Sequence, residues 1–93
     1  MAKYISIEVE GIPDLVFNTK DITLVVPHGP EAVFIYTGSV FYIFSWNLTI
    51  ENPVTAHAVV NNINKAILAV NGPTCVKVVN TGGTLALSDI LPV

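Results

Sequence analysis

The residues able to do chemistry in this chain are few and scattered. They are two histidines, His28 and His57, one cysteine, Cys75, and the acids Glu8, Glu10, Asp14, Asp21, Glu31, Glu51 and Asp89, with Lys3, Lys20, Lys65 and Lys77 as the cations. His28 lies in a Pro-His-Gly-Pro stretch, residues 27–30, and a loop histidine can ligate a metal or act as a general base. His57 precedes Asn61 by one helical turn, a spacing that makes a polar pair facing solvent or another subunit. None of the acids forms an i, i+4 pair with a histidine on a helix. Glu8 and Glu10 read as the solvated face of a strand, and a meeting of His28, His57 and an acid in space stays open. Ser39, Ser45 and Ser88 lack the Gly-x-Ser-x-Gly setting of a nucleophile elbow. The Gly-rich stretch "NTGGT", residues 80–84, lacks the lysine and the following helix of a phosphate loop, and reads as a hairpin turn. A single cysteine closes no disulfide within the chain and builds no thiolate zinc site, so Cys75 reads as a small buried residue of a strand. The expectation is a protein that is not an enzyme, with no catalytic or metal residue and no cofactor.

The composition points elsewhere. Of 93 residues, expected to form a single domain spanning 1–93, 52% are hydrophobic and 12% charged, against about 25% charged in typical domains. A monomer of this size with so little charge would show much apolar surface, and large exposed apolar patches mark interfaces. A homo-oligomer is therefore expected. The net charge is −3 and there is no arginine, which argues against nucleic acid and against an anionic membrane surface as partners. The start, "MAKYISIEVEG", alternates and lacks the apolar core of a signal peptide, so none is expected. Residues 32–50 form a charge-free run of nineteen, long enough to raise a membrane span. Its Thr-Gly-Ser break and its β-branched and aromatic content read instead as two strands and a turn.

The elements follow from periodicity. In "KYISIEVE", Ile5, Ile7 and Val9 share one face, and Ser6, Glu8 and Glu10 the other. "GIPD" turns the chain, "LVF" is a short strand, and "ITLVVP" is a third strand closed by Pro27. Val33 and Ile35 alternate with Phe34 and Tyr36. After Thr37-Gly38-Ser39, the residues Val40, Tyr42, Phe44 and Trp46 fall on one parity. One helix is predicted over about 53–70, capped by Asn52, with Pro53 first and Asn71-Gly72-Pro73 as the stop. Val59, Ile63, Ala66, Ile67 and Val70 make its apolar stripe, and His57, Asn61, Asn64 and Leu68 another face. "TCVKVVN" reads as a sixth strand and "LALSDIL" as a seventh. The fold class is α+β: a strongly bent antiparallel sheet, or a small open β-barrel, of five to seven strands with the helix packed on one face. A single helix covers one sheet face, so Phe34, Tyr36, Tyr42, Phe44 and Trp46 are expected to form the oligomer interface. His57, Asn61 and Asn64 are expected as polar interface or ligand contacts.

The order of "FNTKDITLVV", "AVFIYTGSVFYI" and "AHAVVNNINKAI" resembles small uncharacterised proteins of tailed phages, marine and cyanophage types among them. The matching positions are Asn18, Asp21, Ile22, Gly38, Val59, Val60, Asn61, Ile63, Asn64, Ala66 and Ile67. The layout is more distantly similar to FlbD-type flagellar proteins, which have no equivalent of residues 73–93. The likeness covers about residues 15–68 and implies a fold more than a function, with no catalytic residue to carry over. The low charge, the doubly apolar hairpin and the lack of a catalytic constellation lead to the expectation of a homo-oligomeric structural or assembly protein, in the setting of this likeness phage-encoded and virion-associated, whose partners are its own copies and other virion proteins; with no signal peptide or membrane span expected, its place would be the host cytoplasm or the virion. Two other readings remain. One is an oligomer that binds or converts a small ligand in a pocket between subunits, with His28 or His57 as its polar element. The other, weakened by the charge, is a small nucleic-acid-binding barrel.

Overall fold

The computed structural model describes residues 3–39, 41–51, 55–69, 74–79 and 83–93. Along the chain run β1 (Tyr4–Ile7), β2 (Leu15–Asn18), a single 3-10 turn (Thr19–Asp21), β3 (Ile22–Pro27), β4 (Ala32–Gly38), β5 (Ile43–Glu51), α1 (Ala56–Ile67), β6 (Cys75–Lys77) and β7 (Thr84–Pro92). The class is α+β with the helix packed on sheet, as expected. The strands do not close into a barrel. They divide into a three-stranded sheet, β2-β1-β6, and a four-stranded sheet, β3-β4-β5-β7. The four-stranded sheet is antiparallel throughout, whereas β6 runs parallel to β1.

The core lies between the two sheets and the helix, which packs against β1, β3, β4 and β6. Ile5 and Ile7 of β1, Phe17 of β2, Val33 and Ile35 of β4, and Leu48 and Ile50 of β5 are buried there. Alternation in β1 extends past the strand end: Val9 is buried while Glu8 and Glu10 are exposed. From α1 come Ala56, Val59, Ile63 and Ala66, one face at helical period. Each Leu, Ile or Val hidden in this way contributes about 1.5–3 kcal/mol relative to exposure.

Local signals differ from expectation at several places. The helix begins later than position 53: Thr55 is extended (φ −74°, ψ 152°) and its hydroxyl accepts the Ala58 amide at 3.4 Å, the geometry of an N-cap. The free Ala56 amide donates to the Pro30 carbonyl at 3.3 Å, so a loop fixes the helix start. At the other end Leu68 leaves helical geometry. The expected cap Asn52, first residue Pro53, stripe member Val70 and stop 71–73 lie outside the described residues. Between β2 and β3 the likeness position Asn18 caps the 3-10 turn and Asp21 ends it, with the Asn18 side chain accepting from the Lys20 amide at 3.0 Å. β4 runs on through Gly38, so Gly38 belongs to the strand instead of the turn, and Tyr42 precedes β5. The stretch 80–82 of the expected "NTGGT" turn lies outside the described residues, and the flanking strands β6 and β7 belong to different sheets. Cys75 is in a strand but exposed. Val76, which pairs with Ile5, takes the inward position, and Cys75 and Lys77 fall on the outward parity.

Candidate functional site

The polar candidates come first. His28, in the loop after β3, is exposed and stacks flat on Phe34, with ring centroids 4.3 Å apart and planes at 11°. His57 is exposed in the first turn of α1. The Pro30–Ala56 bond brings their two segments together. Among the described residues, however, no group of three His, Cys, Asp or Glu side chains is placed to hold a metal ion. His57, Asn61 and Asn64 lie on the exposed stripe of α1, which ends at Leu68. The opposite stripe of α1 enters the core, and so does the inner face of the four-stranded sheet. The asparagine stripe and the outer sheet face therefore point to opposite sides of the molecule.

The acids form two small exposed groups. Lys77 Nζ lies 3.3 Å from Glu8 and 3.9 Å from Asp14, and the Ser6 hydroxyl donates to Asp14 at 3.5 Å. Solvent screens such pairs, which contribute about 0–1 kcal/mol. Glu10 and Glu51 are placed side by side at the end of β5. A hydrogen bond from Glu10, the negative charge of that neighbour and a smaller contribution from burial raise the pKa of Glu51 above the ordinary 4.5. A shallow groove of about 140 Å³ between α1 and β6 is lined by Asn62, Lys65, Ala66, Val76, Lys77 and Val79.

The five aromatics expected to form one surface do not share a face. Residues directly opposite in an antiparallel ladder point the same way. Trp46 pairs with Ile35, and Phe44 with Thr37, which turns both toward the inner side of the sheet. Phe34 pairs with Asn47 and Tyr36 with Ser45, on the outer side. Trp46 is half-buried against Phe17 of the other sheet, edge to face, with centroids 5.1 Å apart at 87°. Its indole N–H donates to the Thr37 hydroxyl at 2.8 Å. Trp46 is thus a clasp between the two sheets rather than a surface residue. Phe34 and Tyr36 are half-buried on the outer face beside Leu24, Val26 and the buried Ser45, whose hydroxyl donates to Asn47.

Among the described residues the three most exposed large apolar side chains, Phe41, Val93 and Tyr42, lie at one corner, where the β4–β5 hairpin ends and β7 finishes, while Val79, Leu68, Val16 and Leu24 are exposed elsewhere. Phe41 is 87% exposed, Tyr42 73% and Val93 75%, and Phe44, Ile90 and Leu91 each keep two fifths or more of their surface. The ladder places them together: Phe44 opposes Pro92, Ser45 opposes Leu91, Trp46 opposes Ile90, and the Val93 amide donates to the Ile43 carbonyl at 2.9 Å. No charged side chain occurs between residues 32 and 50 or after Asp89. Tyr42 and Phe44 belong to the expected set, whereas Phe41, Ile90, Leu91 and Val93 do not. For Ile90, Leu91 and Val93 the signal in the sequence was the uncharged "ILPV" stretch, which shows no alternation.

Among the described residues no helix is long and apolar enough to cross a membrane. No protein-family model, no curated protein and no solved structure matches this chain.

Proposed function

We propose that the protein is a non-enzymatic structural or assembly module that works as a homo-oligomer, of the virion-associated kind that tailed phages encode. The observation that carries this reading is the uncharged corner formed by Phe41, Tyr42, Phe44, Ile90, Leu91 and Val93. Soluble monomers rarely expose contiguous apolar patches beyond a few hundred Å², and larger ones are interaction surfaces. Aromatic and aliphatic side chains free of charge are what the centre of such an interface requires. The likeness of residues 15–68 to phage proteins supports the setting.

Light scattering coupled to size exclusion, over a range of protein concentrations, tests the reading. A mass above that of one chain is expected. Leu91→Asp, which changes an outward side chain while leaving the β5–β7 backbone ladder in place, should return the protein to single chains. A single-chain mass at every concentration would overturn the proposal. Trp46, which clasps the two sheets, is unsuited to this test because its replacement acts on folding.

A further inference from the structure

We propose that two copies of the chain join edge to edge through the second half of β7, antiparallel about Ile90, so that two four-stranded sheets become one of eight strands. This deepens the assembly reading and rests on it. Among the described residues β7 is an edge strand: β5 flanks it on one side and no strand flanks it on the other. The opposite edge of the same sheet, β3, ends in Pro27 and has α1 packed against it.

The phase of the ladder tells which backbone groups of β7 are open. The Val93 amide bonds to Ile43, so Ile43/Val93, Ser45/Leu91 and Asn47/Asp89 are the hydrogen-bonded pairs of this antiparallel ladder. The alternate residues, Ile90 and Pro92, turn their backbone groups away from β5. Pro92, lacking an N–H, occupies an outward position where that loss leaves the β5 ladder intact. In the first half of the strand, beyond the register shift near Asn47/Leu48, the outward carbonyl of Leu85 is already taken by the Glu10 amide at 2.7 Å. Burial follows the same division: residues 84–87 are half-buried and 88–93 are exposed. One half of the edge is covered by the chain itself and the other is bare.

The occupant is argued from symmetry and charge. An antiparallel pair about a two-fold axis is self-complementary, with the same surface used by both partners. Centred on Ile90, it lets each Ile90 amide donate to the carbonyl of its equivalent. It sets Asp89 opposite Leu91 of the copy, so the one charge of β7 does not meet its equivalent across the ladder, a condition that matters for a chain of net charge −3. Ile90 and Leu91 then extend the apolar surface on the two faces of the joined sheet. The register shift and Pro92 bracket a short pairing window, and with α1 on the β3 side the assembly closes at two chains instead of growing into a fibre. Such a contact lies at the small end of specific interfaces, below roughly 1,200 Å² in total, and its formation should follow concentration.

Amide hydrogen exchange of the unaltered protein, measured at low and high concentration beside its solution mass, is the test. The Ile90 amide has no partner within one chain, whereas Leu91 belongs to a bonded pair. Protection of Ile90 should therefore rise roughly tenfold or more as the mass doubles, with Leu91 little changed. Ile90→Pro removes the outward donor without touching the β5 ladder and should leave single chains of unchanged near-ultraviolet dichroism. Association with Ile90 exchanging freely at all concentrations would overturn the edge pairing and leave the assembly reading standing. Absence of self-association would overturn both. The exchange of the unaltered protein decides the matter even where Ile90→Pro does not fold.

Discussion

Replacing Trp46 with alanine tests the clasp between the sheets most directly. The indole is half-buried, so the lost packing is smaller than for a fully buried aromatic, whose removal costs about 3–5 kcal/mol. The edge-to-face contact with Phe17 adds about 0.5–1.5 kcal/mol beyond area. The indole–Thr37 hydrogen bond adds about 1 kcal/mol. With the partial exposure discounted, Trp46→Ala should cost about 2–4 kcal/mol, against a total of about 5–14 kcal/mol for 93 residues. With a urea slope near 2 kcal/mol per molar, the unfolding midpoint should fall by roughly 1–2 M. Far-ultraviolet dichroism is the suitable probe, since the substitution removes the sole tryptophan. Thr37→Val alone should cost about 1 kcal/mol, reproducing the hydrogen-bond share of that loss. A cycle pairing Phe17→Leu with Trp46→Leu should show a coupling of about 0.5–1.5 kcal/mol. A Trp46→Ala loss below about 1 kcal/mol with no coupling to Phe17 would refute the clasp.

Three further outcomes are expected. Gly38→Ala should destabilise the hairpin by several kcal/mol, since φ is +130° and an added Cβ would fall 1.8 Å from the Tyr42 carbonyl oxygen; an unchanged urea midpoint would count against the turn geometry. Glu51→Gln should raise the thermal midpoint at pH 7 and lose that advantage in acid. The raised pKa means that the protonated Glu51 contributes stability fully present below the ordinary 4.5 and lost as pH climbs through the raised value, so a midpoint gain that ignores pH would refute the Glu10–Glu51 pairing. Ile63→Ala should cost about 2–5 kcal/mol in urea unfolding, whereas Asn61→Ala and Asn64→Ala should stay within about 0.5 kcal/mol; similar losses at all three positions would mean that the helix faces are misplaced.

What could be read from the sequence is what depends on near neighbours in the chain. The alternation of Ile5, Ile7 and Val9 marked the buried side of the first strand, and the spacing of Val59, Ile63 and Ala66 marked the core face of the helix, because side-chain direction repeats at two and 3.6 residues wherever the backbone is regular. The low charge raised the expectation of an interface, which the solution mass will test. Tertiary structure decided the rest. A strand apolar on both parities does not say which parity is inside, and a shift of one residue exchanges them. The β4–β5 register, setting Ile35 against Trp46, turned Trp46 inward while Phe34 and Tyr36 faced out. The helix start at Thr55 is tied to a distant segment, since the Ala56 amide donates to the Pro30 carbonyl 26 residues away in the chain. The split into two sheets, the exposure of Cys75 and the gathering of Phe41, Phe44, Ile90 and Val93 at one corner depend on contacts between segments far apart in the chain, and local periodicity carries no information about those.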